Sequence, residues 1–343
     1  MVSKSRGFTI VELLIVIVVI GILTAIVMVS YTNTSQKATI ALLKSDLTNL
    51  SKTINLESIT NDTFPTSLAE VYASSGFKPN PEIEYQYFYN NGSNPKYFCL
   101  NAIKGGEKYM ITNNDTPTTG DCLDYGLVVN LDTGNNLSYP GNGTTWSDLS
   151  GLNNNGVLNN GVAYSNNNQG VLNFDGVDDF VNIDASNSLD FGTNDFSVSF
   201  WCYRTQAGYQ GGSYLSMGIT GLSSGFDMYD GRFMVVTDKG NFATIKADAD
   251  LNTWQQHTFV VNQSNSPYIK HYINGVSNQA SYVEYGNSGS VNSVKPVMIG
   301  KSVAGGVSRY FNGSMPIVKI YGRSINPEEV TQSYNSTKSR FGL

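Results

Sequence analysis

The start of this chain constrains it most. After Met1-Val2-Ser3-Lys4-Ser5-Arg6-Gly7 the sequence runs apolar from Phe8 to Val29, with one acid, Glu12, inside the run. A helix of about 22 residues is roughly 33 Å long and matches a hydrocarbon core of ~30 Å. Lys4 and Arg6 precede the run and no base follows before Lys37. The positive-inside rule therefore puts the N-terminus in the cytoplasm. A cleaved secretory signal would have a shorter apolar region and a small-residue cleavage site after it. Glu12 is the anomaly. A carboxylate in a membrane helix costs ~2.5–3.5 kcal/mol when central, so it calls for a positive partner.

Composition narrows the functions. Only 14% of the 343 residues are charged and the net charge is −6, which argues against a surface built to neutralise phosphates, so no nucleic-acid partner is expected. Two His and three Cys leave no room for a multi-Cys/His zinc cluster or an iron–sulfur centre. A chain rich in Asn, Gly and Tyr and poor in Lys has the balance of an exported protein.

Helical spacing continues beyond the apolar run. Ile40, Leu43, Leu47, Leu50 and Ile54 form one stripe at intervals of three and four, with Lys37, Lys44, Asp46 and Lys52 off it. One helix is expected over 8–58, with 8–29 in the membrane, and Asn61-Asp62-Thr63-Phe64-Pro65 breaks it. Strands follow at Glu84 to Tyr89, Lys96 to Ala102 and Lys108 to Thr112, joined by hairpin-type turns. The order Gly7-Phe8-Thr9-Ile10-Val11-Glu12-Leu13-Leu14, behind a short basic leader, resembles the type IV prepilin signature, and the helix-then-meander order resembles a pilin globular domain. That resemblance implies cleavage by a prepilin peptidase after Gly7, methylation of Phe8, and pairing of Glu12 with the terminal amine of a neighbouring pilin subunit. The helix lacks the proline many pilins carry, since no Pro occurs before Pro65. In an exported chain Cys99 and Cys122 are expected to form a disulfide, worth about 3 kcal/mol on the chain-entropy model.

From residue 124 onward helical spacing disappears. Short strand-like runs alternate with turns such as Asp175-Gly176, Asp230-Gly231, Asn274-Gly275 and Asn312-Gly313. Many short strands over ~200 residues mean a sandwich or jelly roll. The blocks Trp146 to Gly151, Leu172 to Val181, Phe196 to Trp201, Tyr272 to Val276 and Phe311 to Arg323 together resemble the laminin-G-like, concanavalin A-like jelly-roll family. The fold class expected is an α+β pilin domain, its long N-terminal helix on a small antiparallel sheet, followed by an all-β jelly-roll sandwich. The divisions are a leader at 1–7, the helix at 8–58, a globular domain at 59–123 and the jelly roll at 124–343.

The resemblance implies carbohydrate or protein ligands, sometimes held through calcium. Loop positions suited to a sugar are Tyr209, Asn241, Arg309 and Tyr310, since pyranose faces stack on aromatic rings and hydroxyls need directed partners. Asp132, Asp148, Asp175 and Asp178 are the oxygen ligands a calcium ion would use, although Asp175-Gly176-Val177-Asp178-Asp179 also reads as an ordinary strand-connecting turn. Some relatives are glucanases, but the clustered Glu-x-Asp-x-Glu strand of those enzymes is missing, and glycoside hydrolysis needs paired carboxylates. Glu328 and Glu329 follow Asn326-Pro327, a helix start. Neither His257 nor His271 has a nucleophile motif beside it, so no enzyme activity is expected. The expected function is a type IV pilus subunit, a minor or tip adhesive pilin presenting a lectin-like domain outside the cell. A pseudopilin of a secretion or DNA-uptake machine is the alternative, and a membrane-anchored glycan hydrolase the second.

Overall fold

The computed structural model describes residues 10–343 except 94, 114, 207–212, 219–223, 230, 247–248, 264–267, 279–281, 285–288, 292–294 and 303–306. Gly7, Phe8 and Tyr209 lie outside the described residues.

The first element is a single helix, α1 (Ile10–Asn61), three residues longer at its C-terminal end than the spacing predicts. Asp62, at φ +55°, ends it in the left-handed conformation that short polar side chains tolerate. Its two halves have opposite environments. In the N-terminal half apolar side chains stand exposed on every face, from Ile10 to Val29, within a stretch whose mean hydropathy reaches 3.2. In the C-terminal half one face is buried: Leu43, Leu47, Leu50 and Ile54 are wholly shielded, with Ser51 beside them, and pack against Phe98, Leu100, Ala102 and Ile111.

Those partners belong to the antiparallel meander β1 (Glu84–Asn90), β2 (Tyr97–Lys104), β3 (Glu107–Thr112) and β4 (Thr118–Thr119), in that spatial order. The three strands expected from sequence are present, each within two residues of its expected limits. Tyr85 and Tyr87 face the helix side, where Tyr85 donates to Asp46 at 2.6 Å and Tyr87 to the Pro65 carbonyl at 3.0 Å. On the other face Phe88 packs on the Cys99–Cys122 disulfide, which ties the middle strand to the segment leaving the domain. A short helix, α2 (Leu68–Ser75), is an addition to the sequence reading. Ser67 caps it by accepting from the Glu70 N–H, and Gly76 closes it at φ +66°.

The remainder is a sandwich of two sheets, each of nine strands among the described residues. The first runs Val276–Asn278, Ile269–Ile273, Trp254–Val261 and Phe196–Arg204. Phe196–Arg204 then pairs with two successive strands, Asn312–Met315 toward its end and Ile317–Tyr321 toward its start. The chain's first jelly-roll strand, Leu127–Asp132, pairs with Ile317–Tyr321, so both ends of the module lie side by side. The second sheet includes Arg232–Thr237, Gly225–Tyr229, Leu215–Met217, Val297–Ile299, Phe180–Ile183 and Gly156–Asn159 as neighbours in that order. Between the sheets, Phe233 and Phe259 stack with centroids 4.2 Å apart, joined by Phe200, Phe226, Val198, Val181 and Ile299.

Asn312-Gly313 corrects the sequence reading, since it lies in a strand and not in a turn. Gly313 is required there because a Cβ would sit 2.1 Å from the Tyr203 carbonyl oxygen of the paired strand. Asn274-Gly275 does form a turn, both residues at positive φ. The helix start at Asn326 is also present: α3 (Pro327–Thr337) opens with a reciprocal capping box between Asn326 and Glu329.

The two domains meet through a buried polar cluster. Arg323 pairs with Glu329 at 2.7 and 3.0 Å, donates to the carbonyls of Tyr125 and Cys122, bonds the Tyr97 hydroxyl and lies 4.3 Å over the Tyr97 ring. Arg323 is 6% and Glu329 2% exposed. Asn326 extends the link by donating to the Tyr89 carbonyl at 2.9 Å. Burial disfavours the charged guanidinium, but Glu329 outweighs it and Arg323 stays charged more firmly than free arginine.

Candidate functional site

The expected functional residues fall in two places, the start of α1 and the jelly roll. Glu12 lies in the first turn of α1, within the half whose apolar surface is unburied. A helix apolar on all sides belongs in lipid or among other such helices.

On the jelly roll, the end farthest from the N-terminal domain gathers several candidates. Phe196–Arg204 starts beside the junction, where the Ser197 hydroxyl donates to the Arg323 carbonyl, and finishes at Arg204 opposite Gly313. Asn312 next to it pairs with Asp175, which places the acidic turn 175–179 on that far rim. A small ribbon, Lys301–Ser302 against Arg309–Tyr310, lies beside it. The Lys301 ammonium sits 4.2 Å over the Phe180 ring and 5.3 Å over Tyr310. Tyr310 and the acidic turn are thus neighbours on one rim. Arg309 is only 7% exposed and donates to the Val307 carbonyl, so its guanidinium lies beneath the rim. The backbone of Asn241 pairs with Val236, at the opposite end of the second sheet.

Beneath the ribbon, Ser302 donates to Asp227 Oδ2 at 2.6 Å and Ser216 to the Lys301 carbonyl at 2.8 Å. Burial raises the Asp227 carboxyl to about 7, against the opposing effects of the Ser302 bond and the Arg309 charge.

The four aspartates expected to offer oxygen to a cation are not equivalent. Asp132 pairs with Arg340 at 2.5 Å and accepts from the Gly134 N–H. Asp148 accepts from the backbone N–H groups of Asn130, Ser150 and Asn154 and from the Ser150 hydroxyl. Both are committed to holding loops. Asp175 and Asp178 instead lie with Asp179, one ligand oxygen from each within 4.8 Å of the others. Asp179 was legible as part of the acidic run, but its burial was not: it is 3% exposed. Burial, then the charges of Asp175 and Asp178, raise its carboxyl above the ordinary range, against the lowering by the Asp175 N–H. These three residues suit a hard cation by donor type.

The two histidines form a closed chain in the core. The Asn278 amide donates to His271 Nδ1 at 2.8 Å, so His271 Nε2 carries the proton shared with His257 Nδ1 at 3.0 Å. Burial holds both rings neutral, lowering His257 to about 3 and His271 to about 2, the latter with a further contribution from His257. Such rings are packing residues, not bases open to a substrate.

A family profile described as the prokaryotic N-terminal methylation motif matches residues 2–28. A second, described as the concanavalin A-like lectin/glucanases superfamily, matches residues 174–331. Among curated proteins none matches the chain. Similar solved structures include the binding domain of Paraclostridial Mosquitocidal Protein 1, at 18% identity and TM-score 0.49, covering 62% of this chain and 53% of that one. Another is the receptor binding domain of botulinum neurotoxin D, at 14% identity and TM-score 0.48, with coverage of 62% and 53%. The chain spans about half the length of these structures. It carries, then, a prokaryotic N-terminal methylation motif that extends into a long helix with an apolar first half and, over residues 174–331, a jelly-roll domain of the concanavalin A-like lectin/glucanases superfamily.

Proposed function

We propose that this chain is a type IV pilus subunit, minor or located at the tip, that presents its jelly roll outside the cell to bind a surface glycan or protein. The observation that carries the reading is the continuous helix α1. Its first half belongs to a methylation motif and is apolar on every face, while its second half is the spine of a folded head. A prepilin peptidase would cut after Gly7, Phe8 would be methylated, and the precursor would wait in the inner membrane. Glu12 would then pair with the terminal amine of another subunit, an ion pair that suits a carboxylate in lipid. The module is held to the head by the chain and by the buried hydrogen bonds of Arg323 and Asn326 to Tyr97, Cys122 and Tyr89, so the module would travel with the subunit into the filament. A module of ~200 residues on every subunit would crowd a shaft, which favours a minor role. The lectin-like fold favours a binding role over a catalytic one.

Filament incorporation tests assembly: Gly7→Ala and Glu12→Ala should each abolish it, and normal incorporation of both variants would overturn this reading. Glycan-array binding by purified filaments tests adhesion, and its absence for every surface polymer would remove the adhesive role. Immunogold labelling on cells separates the alternatives. Label on a surface fibre supports a pilin, and label confined to the inner membrane supports a pseudopilin.

A further inference from the structure

The head and the jelly roll leave a gap where they meet. It is a cleft of about 410 Å³, within the ~300–1,000 Å³ usual for small-molecule sites. Its floor is the outer face of the first sheet, where Tyr272 pairs with Thr258 and Lys270 with Val260. His271, between them, points the other way, its ring stacked on Phe259 in the core. One wall is the turn Asn90-Asn91-Gly92 of the head, and the other is the start of α3, Asn326-Pro327-Glu328. Three side-chain amides tie the two domains together around it. Asn90 donates to the Ser324 hydroxyl at 3.1 Å, Asn326 to the Tyr89 carbonyl at 2.9 Å and Asn262 to the Gly92 carbonyl at 2.8 Å.

Three polar groups in this cleft have no such work. Tyr272 is 5% exposed and its ring packs with Val260, Ile325 and Val330. Its hydroxyl has no hydrogen-bond partner among the described residues and is not sealed from solvent, so it opens into the cleft. Burial, then the charge of Glu328, raise that hydroxyl above its ordinary value, so it stays a neutral donor. Lys270 and Glu328 are both exposed, and among the described residues neither forms an ion pair. Val260, Ile325 and Pro327 add apolar surface.

Such a lining selects by charge. A purely anionic ligand is repelled by Glu328 and a purely cationic one by Lys270, while a neutral one displaces water from both charges without replacing it. A ligand carrying a carboxylate and an ammonium answers both with charge-assisted hydrogen bonds. We propose that the cleft between head and module binds a short zwitterionic peptide, its carboxylate on Lys270, its ammonium on Glu328 beside the Tyr272 hydroxyl, and an apolar side chain over Val260 and Pro327. Because both domains wall the cleft, the bound peptide also tightens their docking. The site depends neither on filament assembly nor on adhesion by the far rim.

The test is isothermal calorimetry on the full-length protein in detergent micelles. The probe is alanyl-phenylalanine, run beside its N-acetylated form, its C-terminal amide and maltose. One equivalent of the free dipeptide should bind and slow hydrogen exchange in 89–92 and 325–329. Blocking either end should weaken binding at least about tenfold. Lys270→Gln should weaken the free dipeptide by a similar factor and spare the amide, whereas Glu328→Gln should weaken the free dipeptide and spare the acetylated form. Lost packing or a lost contribution to the α3 dipole would not match each variant to one end of the ligand. Tyr272→Phe, which keeps the ring, should weaken binding by about threefold or more. No binding at millimolar dipeptide would overturn the proposal, as would equal binding of free and blocked forms or unchanged affinity in both charge variants. Tighter binding of maltose than of the dipeptide would overturn the ligand class.

Discussion

The N-terminal head keeps its shape with one stripe of a helix, a four-stranded sheet and a disulfide, whereas the jelly roll relies on an aromatic core closed between two broad sheets. The head has little apolar surface to bury, and its helix spends its first half outside the domain. A small core benefits from a covalent staple. The module needs none, and its only cysteine, Cys202, is buried in the core. The lesson is that the two regions should fail under different insults, and that only the polar cluster at their junction should touch both.

The largest effect should come at that junction. Arg323→Ala leaves Glu329 buried without its partner, and the expected loss is about 3–5 kcal/mol. Hydrogen exchange should show faster opening of both β2 and α3, and a change confined to one of them would break the comparison. Within the head alone, Leu50→Ala should cost about 2–5 kcal/mol, read as faster exchange of α1 after residue 40 and of β2, with the module unchanged. Removing the disulfide by the paired change of Cys99 and Cys122 to Ser should cost about 3 kcal/mol, again visible in the head and not in the module.

Acid should reverse the pattern. Both histidines of the chain lie in the module, and each has a folded value far below the ordinary 6.5. The unfolded chain therefore binds protons that the folded core refuses. Stability is full above about pH 6.5 and falls toward about pH 3, on the order of 1 kcal/mol per ring for each pH unit. Exchange at pH 5 should rise in 254–273 more than in the head. A pH effect of the opposite sign concerns Asp227, whose folded value of about 7 lies above its ordinary 3.8. Its contribution is present below the ordinary value and lost as pH rises through 7. Asp227→Asn should gain on the parent by up to about 4 kcal/mol between pH 4 and pH 8, measured by chemical denaturation.

Local signals were easy to read in this sequence and distant ones were not. The stripe from Ile40 to Ile54 foretold which face of α1 meets the sheet, and the alternation in Tyr85, Tyr87 and Tyr89 foretold a strand. The short helix α2 escaped, although Ser67-Leu68-Ala69-Glu70 carries the S-x-x-E spacing of a capping box. Asn312-Gly313 was misread because the dipeptide suits a tight turn equally well. Only the approach of the Tyr203 carbonyl, more than a hundred residues earlier, explains it. Arg323 has partners at Tyr97 and Cys122, over two hundred residues away, and no local pattern announces them. Of the acidic candidates, the sequence supplied donor type. Only the fold distinguishes Asp132 and Asp148, spoken for by neighbours, from the trio ending in Asp179.

The adjacency of Leu127–Asp132 and Ile317–Tyr321 has a mechanical consequence. A force applied at the rim reaches the head through both strands, the first joined to it by the chain and the second through the Arg323 cluster. The same layout makes the module a cassette: any domain whose ends emerge together could be spliced between these strands while the anchor below keeps its own geometry.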